Sequence, residues 1–311
     1  MIKQLLENNF NEFISGELLA EQLKTTRANV WKQIEKLRKQ GYQIESRTNK
    51  GYRLVGYDHL VSLSAIKRHL TANLSDIILL DEVDSTNSYI KRTYGHLSEN
   101  TLVVSDYQTA GRGRYGRSFY SPKHQGIYLS YLIKPHFDDM KQTQLLTIAA
   151  CLGVIDAIEN LCDVHLEIKW LNDIYYQKKK LSGILSEASF EVTSQQLQYL
   201  IVGIGINLFV TNIPNELKDI MISLNKPIEV HRLIAEISNS FYKRLEMINK
   251  DRLDLIEDYS KRNMLLNKTI HYQKSKYLVK SINEWGHLVV HDENGQVLEL
   301  QAGEVSLHVD N

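Results

Sequence analysis

The stretch Gly111-Arg112-Gly113-Arg114-Tyr115-Gly116-Arg117 decides between two folds. By spacing it matches G-x-G-x-x-G, the dinucleotide-binding fingerprint. That fingerprint needs a helix directly after it, because the bound phosphate sits on the helix N-terminus. Ser118-Phe119-Tyr120-Ser121-Pro122 follows instead and does not read as a helix. The stretch reads better as a loop carrying three arginines on glycine spacers. Glycine lets backbone amides approach an anion closely. Arginine grips phosphate or carboxylate through two bonds and keeps its charge. The alternative for the same residues is a solvated basic loop or an arginine–glycine segment that binds nucleic acid.

The surrounding sequence argues against a doubly wound sheet as well. Residues 77–80, 101–105, 127–133, 166–170, 182–188 and 199–206 read as strands. Residues 85–94, 142–161, 230–247 and 253–264 read as helices. Helices do not alternate regularly with strands, so the spacing predicts a mixed or largely antiparallel sheet.

The N-terminal block has its own pattern. Ile2, Leu5, Leu6 and Phe10 recur at helical spacing. Ser15 reads as the cap of a second helix, with Leu18, Leu19 and Leu23 expected to be buried. Thr26 caps a third helix with the stripe Val30, Ile34 and Leu37, which Gly41 ends. Two short strands joined at Asn49-Lys50-Gly51 follow. This is the layout of a winged helix-turn-helix. The tail, 269–273, 277–282, 288–291, 297–300 and 305–309, reads as five short strands of a small barrel or sandwich. The expected domains are therefore 1–60, 61–265 and 266–311, in a chain of class α+β.

Composition bounds the function. Of 311 residues, 37 are Lys or Arg and 37 are Asp or Glu, which excludes a uniformly basic nucleic-acid coat. Yet residues 27–53 hold eight Lys or Arg against two Glu, an excess of six positive charges. The two cysteines, Cys151 and Cys162, form no CxxC, so a disulfide framework and a cysteine-rich zinc site are not expected. No fixed metal site is expected, and the compartment fits the cytoplasm. Met1 to Phe10 has no apolar signal core. The apolar runs 148–158 and 199–210 read as too short to span a bilayer, so no membrane partner is expected.

Other stretches offer chemistry. Ser85-Thr86-Asn87 opens a helix, as a cap or as a polar ligand site. Lys169-Trp170-Leu171-Asn172-Asp173 and Lys178-Lys179-Lys180 read as two strands joined by one polar hairpin. Lys178 and Lys179 fit its tip, whereas Lys180 enters an apolar strand, where a lysine usually has a partner. Asp173 is a turn former or an orienting carboxylate. Gly203 and Gly205 mark a bulge or the close approach of a ligand to the backbone.

Taken together, the 111–117 string, Ser85-Thr86-Asn87, Gln108, the 169–173 and 180–185 strings and Gly203-Ile204-Gly205-Ile206-Asn207 resemble biotin protein ligases. Order and spacing agree across 80–208, and the terminal blocks are similar to the bifunctional, DNA-binding branch. The resemblance implies a central sheet related to class II aminoacyl-tRNA synthetases and an SH3-like tail. It implies biotinyl-5′-AMP formation from biotin and MgATP, then transfer to a lysine of a biotin carboxyl carrier protein, as in acetyl-CoA carboxylase. Lys180, Asp173 and Arg112 are then the catalytic candidates. Ser85, Thr86, Asn87, Gln108, Arg112, Gly113, Arg114, Lys180, Gly203 and Gly205 would bind biotin. Arg114, Arg117, Phe119, Lys169, Asn172, Lys180 and Asn207 would bind ATP or the adenylate. Leu171, Phe119 and His308 stand where the family often has proline, tryptophan and arginine.

The N-terminal block would bind operator DNA through Arg27, Asn29, Lys32, Lys36, Arg47 and Lys50, with Trp31 also outward. By resemblance, the adenylate-bound form is a homodimer and a repressor. The rival readings are a lipoate-type acyl-protein ligase, for which the 111–117 string is not expected, and a ligand-sensing regulator without ligase activity.

Overall fold

The computed structural model describes residues 1–57, 62–133, 143–190, 197–273, 275–301, 303 and 305–307. His308, and with it the end of the expected last strand, lies outside the described residues. The chain divides into two compact units. The first is Met1–His69 with Val230–Arg232, and the second is Leu70–Glu229 with Leu233–Asn311.

The first unit holds helices α1 (Ile2–Asn8), α2 (Gly16–Gln22) and α3 (Arg27–Lys39), then strands β1 (Tyr42–Arg47) and β2 (Gly51–Tyr57), and helix α4 (Leu63–Lys67). The expected caps form: Ser15 Oγ accepts from Leu18 N at 3.0 Å, and Thr26 Oγ1 from Asn29 N at 3.2 Å. Each satisfies an amide that the helix itself leaves free. Leu6, Leu19, Val30, Ile34 and Leu54 form a fully buried core. Leu18 departs from the expected burial and is 44% exposed. It stands next to Leu19 in a seven-residue helix, so the two leucines point about 100° apart. The hairpin turns through Gly51, at φ +98°, where a Cβ would lie 2.0 Å from the Ile14 carbonyl oxygen. Tyr52 and Ile14 exchange backbone hydrogen bonds of 2.9 Å at this point, which is why the approach is so close.

The second unit is built on a seven-stranded sheet. Its strands are β3 (Asp76–Leu80), β4 (Thr101–Ser105), β5 (Gly126–Ile133), β6 (Glu167–Lys169), β7 (Asp173–Tyr176), β8 (Lys179–Phe190) and β9 (Leu197–Asn207). The order is β3-β4-β5-β9-β8-β7-β6, with only β3 and β4 parallel, so the sheet is mixed as the spacing predicts. The single expected hairpin before Lys180 is two. One turn follows β6 at residues 170–172, and another follows β7 at Gln177 and Lys178, whose φ angles are +49° and +65°. Neither residue is the glycine or asparagine that usually marks such a turn.

Helices α5 (Thr86–Thr93) and α6 (Thr143–Leu161) cover opposite faces of this sheet. Side chains alternate along a strand. Ser186 meets Thr147 of α6 at 2.8 Å, while its neighbour Glu187 accepts from Asn87 of α5 at 2.8 Å. The 19-residue α6 corrects the expectation of runs too short to cross a bilayer, since it passes by length and composition. It is buried from Leu145 through Ile155, as befits a core helix. Helices α7 (Val230–Lys250) and α8 (Arg252–Arg262) follow. Arg244 of α7 bridges Asp156 of α6 at 2.7 Å and Asp258 of α8 at 2.6 Å. Strands β10 (Thr269–Tyr272), β11 (Ser275–Ile282), β12 (Leu288–His291), β13 (Val297–Leu300) and β14 (Ser306–Leu307) form an antiparallel five-stranded sheet.

Gly153 sets the distance between α6 and α7: a Cβ there would lie 2.8 Å from Phe241 Cα. Alanine in place of glycine gains up to about 1 kcal/mol of helix propensity. Overpacking against backbone costs about 1–3 kcal/mol, and here it dominates. Gly153→Ala is therefore expected to destabilise the second unit by about 1–2 kcal/mol in urea unfolding; a stabilised variant would contradict this close crossing.

Candidate functional site

Strand register collects the site on one face of the sheet. Gly183 pairs with Gly205 and Leu185 with Gly203 between β8 and β9. Across the neighbouring ladders, Ser130 pairs with Gly203, Tyr128 with Gly205, Asp173 with Gly183 and Lys169 with Asp173. Directly opposed residues share a face. That face is the one beneath α5, because a Cβ on Gly203 would lie 2.2 Å from Asn87 Oδ1. A Cβ on Gly205 would lie 2.5 Å from the Phe119 ring. The paired glycines therefore let the Asn87 and Phe119 side chains lie against the backbone, and β9 carries no bulge at either, so the bulge reading does not hold. They leave a bare floor on which side chains from outside the sheet can lie.

One end of the floor is built mainly from uncharged polar groups. Thr86 N donates to Gln108 Oε1 at 2.9 Å, and the Gln108 amide donates to Ser121 Oγ at 3.0 Å. Ser130 Oγ lies 2.6 Å from both Thr86 Oγ1 and Asn87 Oδ1. Ser85, Thr86 and Asn87 are all buried, and Ser85 Oγ also caps α5 by accepting from Ser88 N at 3.5 Å. The cap reading of this helix start thus holds, and the same residues face a cavity. Ser85, Thr86, Asn87 and Gln108, with Arg112, Phe119, Gly203 and Gly205, line a narrow cavity of about 30 Å³.

The other end is cationic. Lys180 Nζ pairs with Asp173 Oδ1 at 2.8 Å, so Asp173 does more than form a turn. A bulge makes this possible. The β7–β8 pairing runs Ile174 with Ser182 and then Tyr175 with Lys180, skipping Leu181. In a regular strand residues three apart face opposite sides. The extra residue puts Lys180 on the face of Gly183, whose missing Cβ would sit 3.2 Å from Nζ. Arg114 Nη1 donates to Asn172 Oδ1 at 2.9 Å. Asn172 is itself fixed by its side-chain amide donating to the Ile184 carbonyl at 2.9 Å.

A cleft of about 830 Å³ joins these groups. It is lined by Arg112, Gly113, Arg114, Arg117, Phe119, Lys169, Asn172, Asp173, Lys180 and Asn207, all named from sequence. Asn207 Oδ1 is buried with no hydrogen-bond partner among the described residues. Arg112, Phe119 and Gly183 belong to both cavities, so the cleft and the narrow cavity adjoin. Tyr115, Trp170, Tyr175 and Met221 also line the cleft and were not anticipated. Burial pushes the Tyr175 phenol up to about 12, helped by the nearby Asp173 charge, so it stays protonated. Ser130 and Ser121 were missed too. A serine inside the apolar 127–133 run is the signal that could have found Ser130. Cys151 is buried, and burial pushes its thiol far up, so it is no nucleophile.

The six expected DNA-binding residues lie in the other unit. Arg27, Asn29, Lys32 and Lys36 are exposed on α3, as are Arg47 at the end of β1 and Lys50 in the hairpin turn. Trp31 is 54% exposed on the same helix. The Asn29 amide donates to Thr25 Oγ1 at 2.7 Å, and the Arg47 guanidinium lies 5.3 Å from the Phe13 ring centre.

Comparison with known proteins agrees with both halves of this arrangement. Residues 79–207 match the biotin/lipoate A/B protein ligase family, and residues 1–53 match an HTH domain. The bifunctional ligase/repressor BirA of Bacillus subtilis (strain 168) is 37% identical over 228 residues, 72% of this chain and 69% of that protein. Its Escherichia coli (strain K12) namesake is 27% identical over 311 residues, covering 95% of this chain and 93% of that one. The structure of a biotin protein ligase from Aquifex aeolicus in complex with biotin and ATP superposes with a TM-score of 0.65 at 29% identity. It covers 76% of this chain and all of its own. A helix-turn-helix joined to a ligase domain, at this identity and coverage, places the chain in the BirA family of bifunctional ligase/repressors.

Proposed function

We propose that the cleft makes biotinyl-5′-AMP from biotin and ATP and passes the biotin to a lysine of a biotin carboxyl carrier protein. One observation carries this reading: a polar pocket, with Arg112 as its one charged lining residue, and a cationic cleft adjoin over the paired glycines of a single sheet face. Biotin is apolar apart from its ureido group and carboxylate, which suits few charges and several hydroxyl or amide partners. Ser85, Thr86, Asn87 and Gln108 would take the ureido end. Gly203 and Gly205 would admit the ring, with Phe119 shifting off Gly205 as it enters.

Arg112 and Gly113 in the loop, with Arg114 and Lys180, would hold the carboxylate and the α-phosphate. Arg117, Phe119, Lys169, Asn172 and Asn207 would hold the rest of the nucleotide, and the unpartnered Asn207 oxygen offers an acceptor for it. Magnesium would arrive with the triphosphate and offset part of its charge. A carboxylate oxygen of biotin attacks the α-phosphorus, and pyrophosphate leaves. The carrier lysine, after its ammonium gives up a proton to solvent, attacks the acyl carbon as the neutral amine; AMP leaves with the bonding electrons, and the nitrogen loses its second proton to give the amide. Both steps build negative charge on phosphate oxygens, which fixed cations stabilise. Asp173 would orient Lys180 and receive the incoming ammonium. The glycine-spaced loop would close over the anhydride and exclude water.

We read the chain as three functional parts, 1–60, 61–265 and 266–311. The first would be a winged helix-turn-helix for operator DNA, and the last an SH3-like barrel beside a synthetase-like sheet. The adenylate-bound protein would act as a cytoplasmic homodimer, since a two-fold pair reading two half-sites offsets the weak grip of one small domain.

Incubation with MgATP and biotin is expected to yield biotinyl-AMP by mass, and the same incubation with lipoate none. Preference for lipoate would move the chain to the rival ligase. Arg112→Ala and Arg114→Ala should slow adenylate synthesis or shorten its lifetime by about 10²-fold, the usual scale for losing one charge-stabilising contact. An unchanged rate and lifetime in both would remove the loop from the site. Asp173→Asn keeps the size and turn propensity but loses the charge. Turnover should drop with the melting temperature nearly constant, and normal turnover would return Asp173 to a purely structural role. Binding to a palindromic biotin-promoter site should strengthen with biotinyl-AMP and weaken steeply with salt, and Lys36→Ala should lower the salt slope by about one. Equal, weak binding with and without the adenylate would count against the repressor reading.

A further inference from the structure

The turn between β6 and β7 carries Asn172 and leads directly into Asp173, the first residue of β7, yet it is short and has no regular structure of its own. Ile184 of β8 bonds Asn172 on one side, its N donating to the Asn172 carbonyl at 2.9 Å, and α8 holds the residues just before it. Tyr259 of α8 is fully buried, and its hydroxyl donates to the Leu171 carbonyl at 2.7 Å. Cys151 Sγ approaches the same oxygen from α6 at 3.9 Å, a far weaker contact. One turn further on, Met264 N donates to the Ile168 carbonyl at 2.9 Å, so α8 and its exit hold both sides of the turn. The helix itself is strapped down. Arg262 forks onto Glu159 of α6 with two bonds of 2.7 Å, and Asp258 pairs with Arg244.

We propose that Tyr259 is a positioning residue of the adenylate site, acting through Leu171 on Asn172 and from there on Arg114. The route is a chain of direct contacts. Leu171 precedes Asn172, and Asn172 Oδ1 accepts from Arg114 Nη1 at 2.9 Å. Asn172 Nδ2 also lies 3.1 Å from Asp173 Oδ1, the same oxygen that Lys180 grips. Tyr259 itself lines neither cavity. A phenol hydroxyl suits the task because it fixes one carbonyl direction from a rigid ring. A shift of about 1 Å at a reacting group is enough to cost up to 10²-fold in rate.

This inference rests on the ligase reading. Tyr259→Phe keeps the ring and removes only the hydroxyl. It is expected to slow biotinyl-AMP formation roughly tenfold. Its melting temperature should fall by only about 2–4 °C, the scale of one buried hydrogen bond in a domain this large. The discriminating measurement is the pair with Asn172→Ala. If Tyr259 acts through Asn172, the double variant forms adenylate no more slowly than Asn172→Ala alone. Multiplying effects would overturn the proposal. So would a wild-type rate in Tyr259→Phe, or a melting temperature lowered by more than about 10 °C, far beyond one hydrogen bond. A wild-type protein that makes no adenylate at all would instead bring down the ligase reading on which the proposal stands.

Discussion

The period of two along a β-strand governs this molecule. Alternation places Gly183, Gly205 and Gly203 on one face across two adjacent strands, and it leaves the other face to α6. The same strands therefore contribute a packed core on one side and, on the other, a floor whose side chains are reduced at three glycines, with Leu185 standing between them. Polar groups are arranged around that floor: Ser130 in β5 and Asn207 at the end of β9, both buried, and Asp173 in β7. A slip of β9 by one residue would turn Asn207 toward α6 and bring Ile204 and Ile206 out in its place.

Within that frame the charged groups matter for geometry more than for stability. Lys180 and Asp173 remain 34% and 24% exposed, so their pairing adds little to folding. What the pair does is hold an ammonium group in one place. The bulge at Leu181 serves the same end, since it changes which way one lysine faces without disturbing the strand beyond it. Asn172 extends the arrangement to Arg114, a residue on the loop 58 positions earlier in the chain.

The helix-turn-helix was readable from local signals, because a cap, a stripe and a glycine stop lie within one helix length of one another. Ser15, Thr26, Val30, Ile34 and Gly41 all act as their spacing implies. Leu18 escaped because a seven-residue helix is too short for a stripe to be told from its neighbours. In the ligase unit, the residue types of the site were visible but their partners were not. No local pattern says that Gly183 opposes Gly205, or that Gln108 reaches Thr86. Those facts depend on register between distant segments. The second hairpin was hidden for a different reason: Gln177 and Lys178 adopt left-handed backbone without being residues that advertise it.

The packing of Phe119 against Gly205 bears on how the recognised ligand could be changed. The floor is backbone, and backbone cannot be trimmed to admit a larger molecule. Adding a methyl group to it would collide with the ring above rather than reshape the cavity. The adjustable wall is the ring itself, whose edge meets Tyr128 at 6.4 Å between centres and whose chain segment carries the loop arginines. Redesign for bulkier acyl groups would therefore begin at the roof of the site, and the strands beneath would serve as a fixed reference plane.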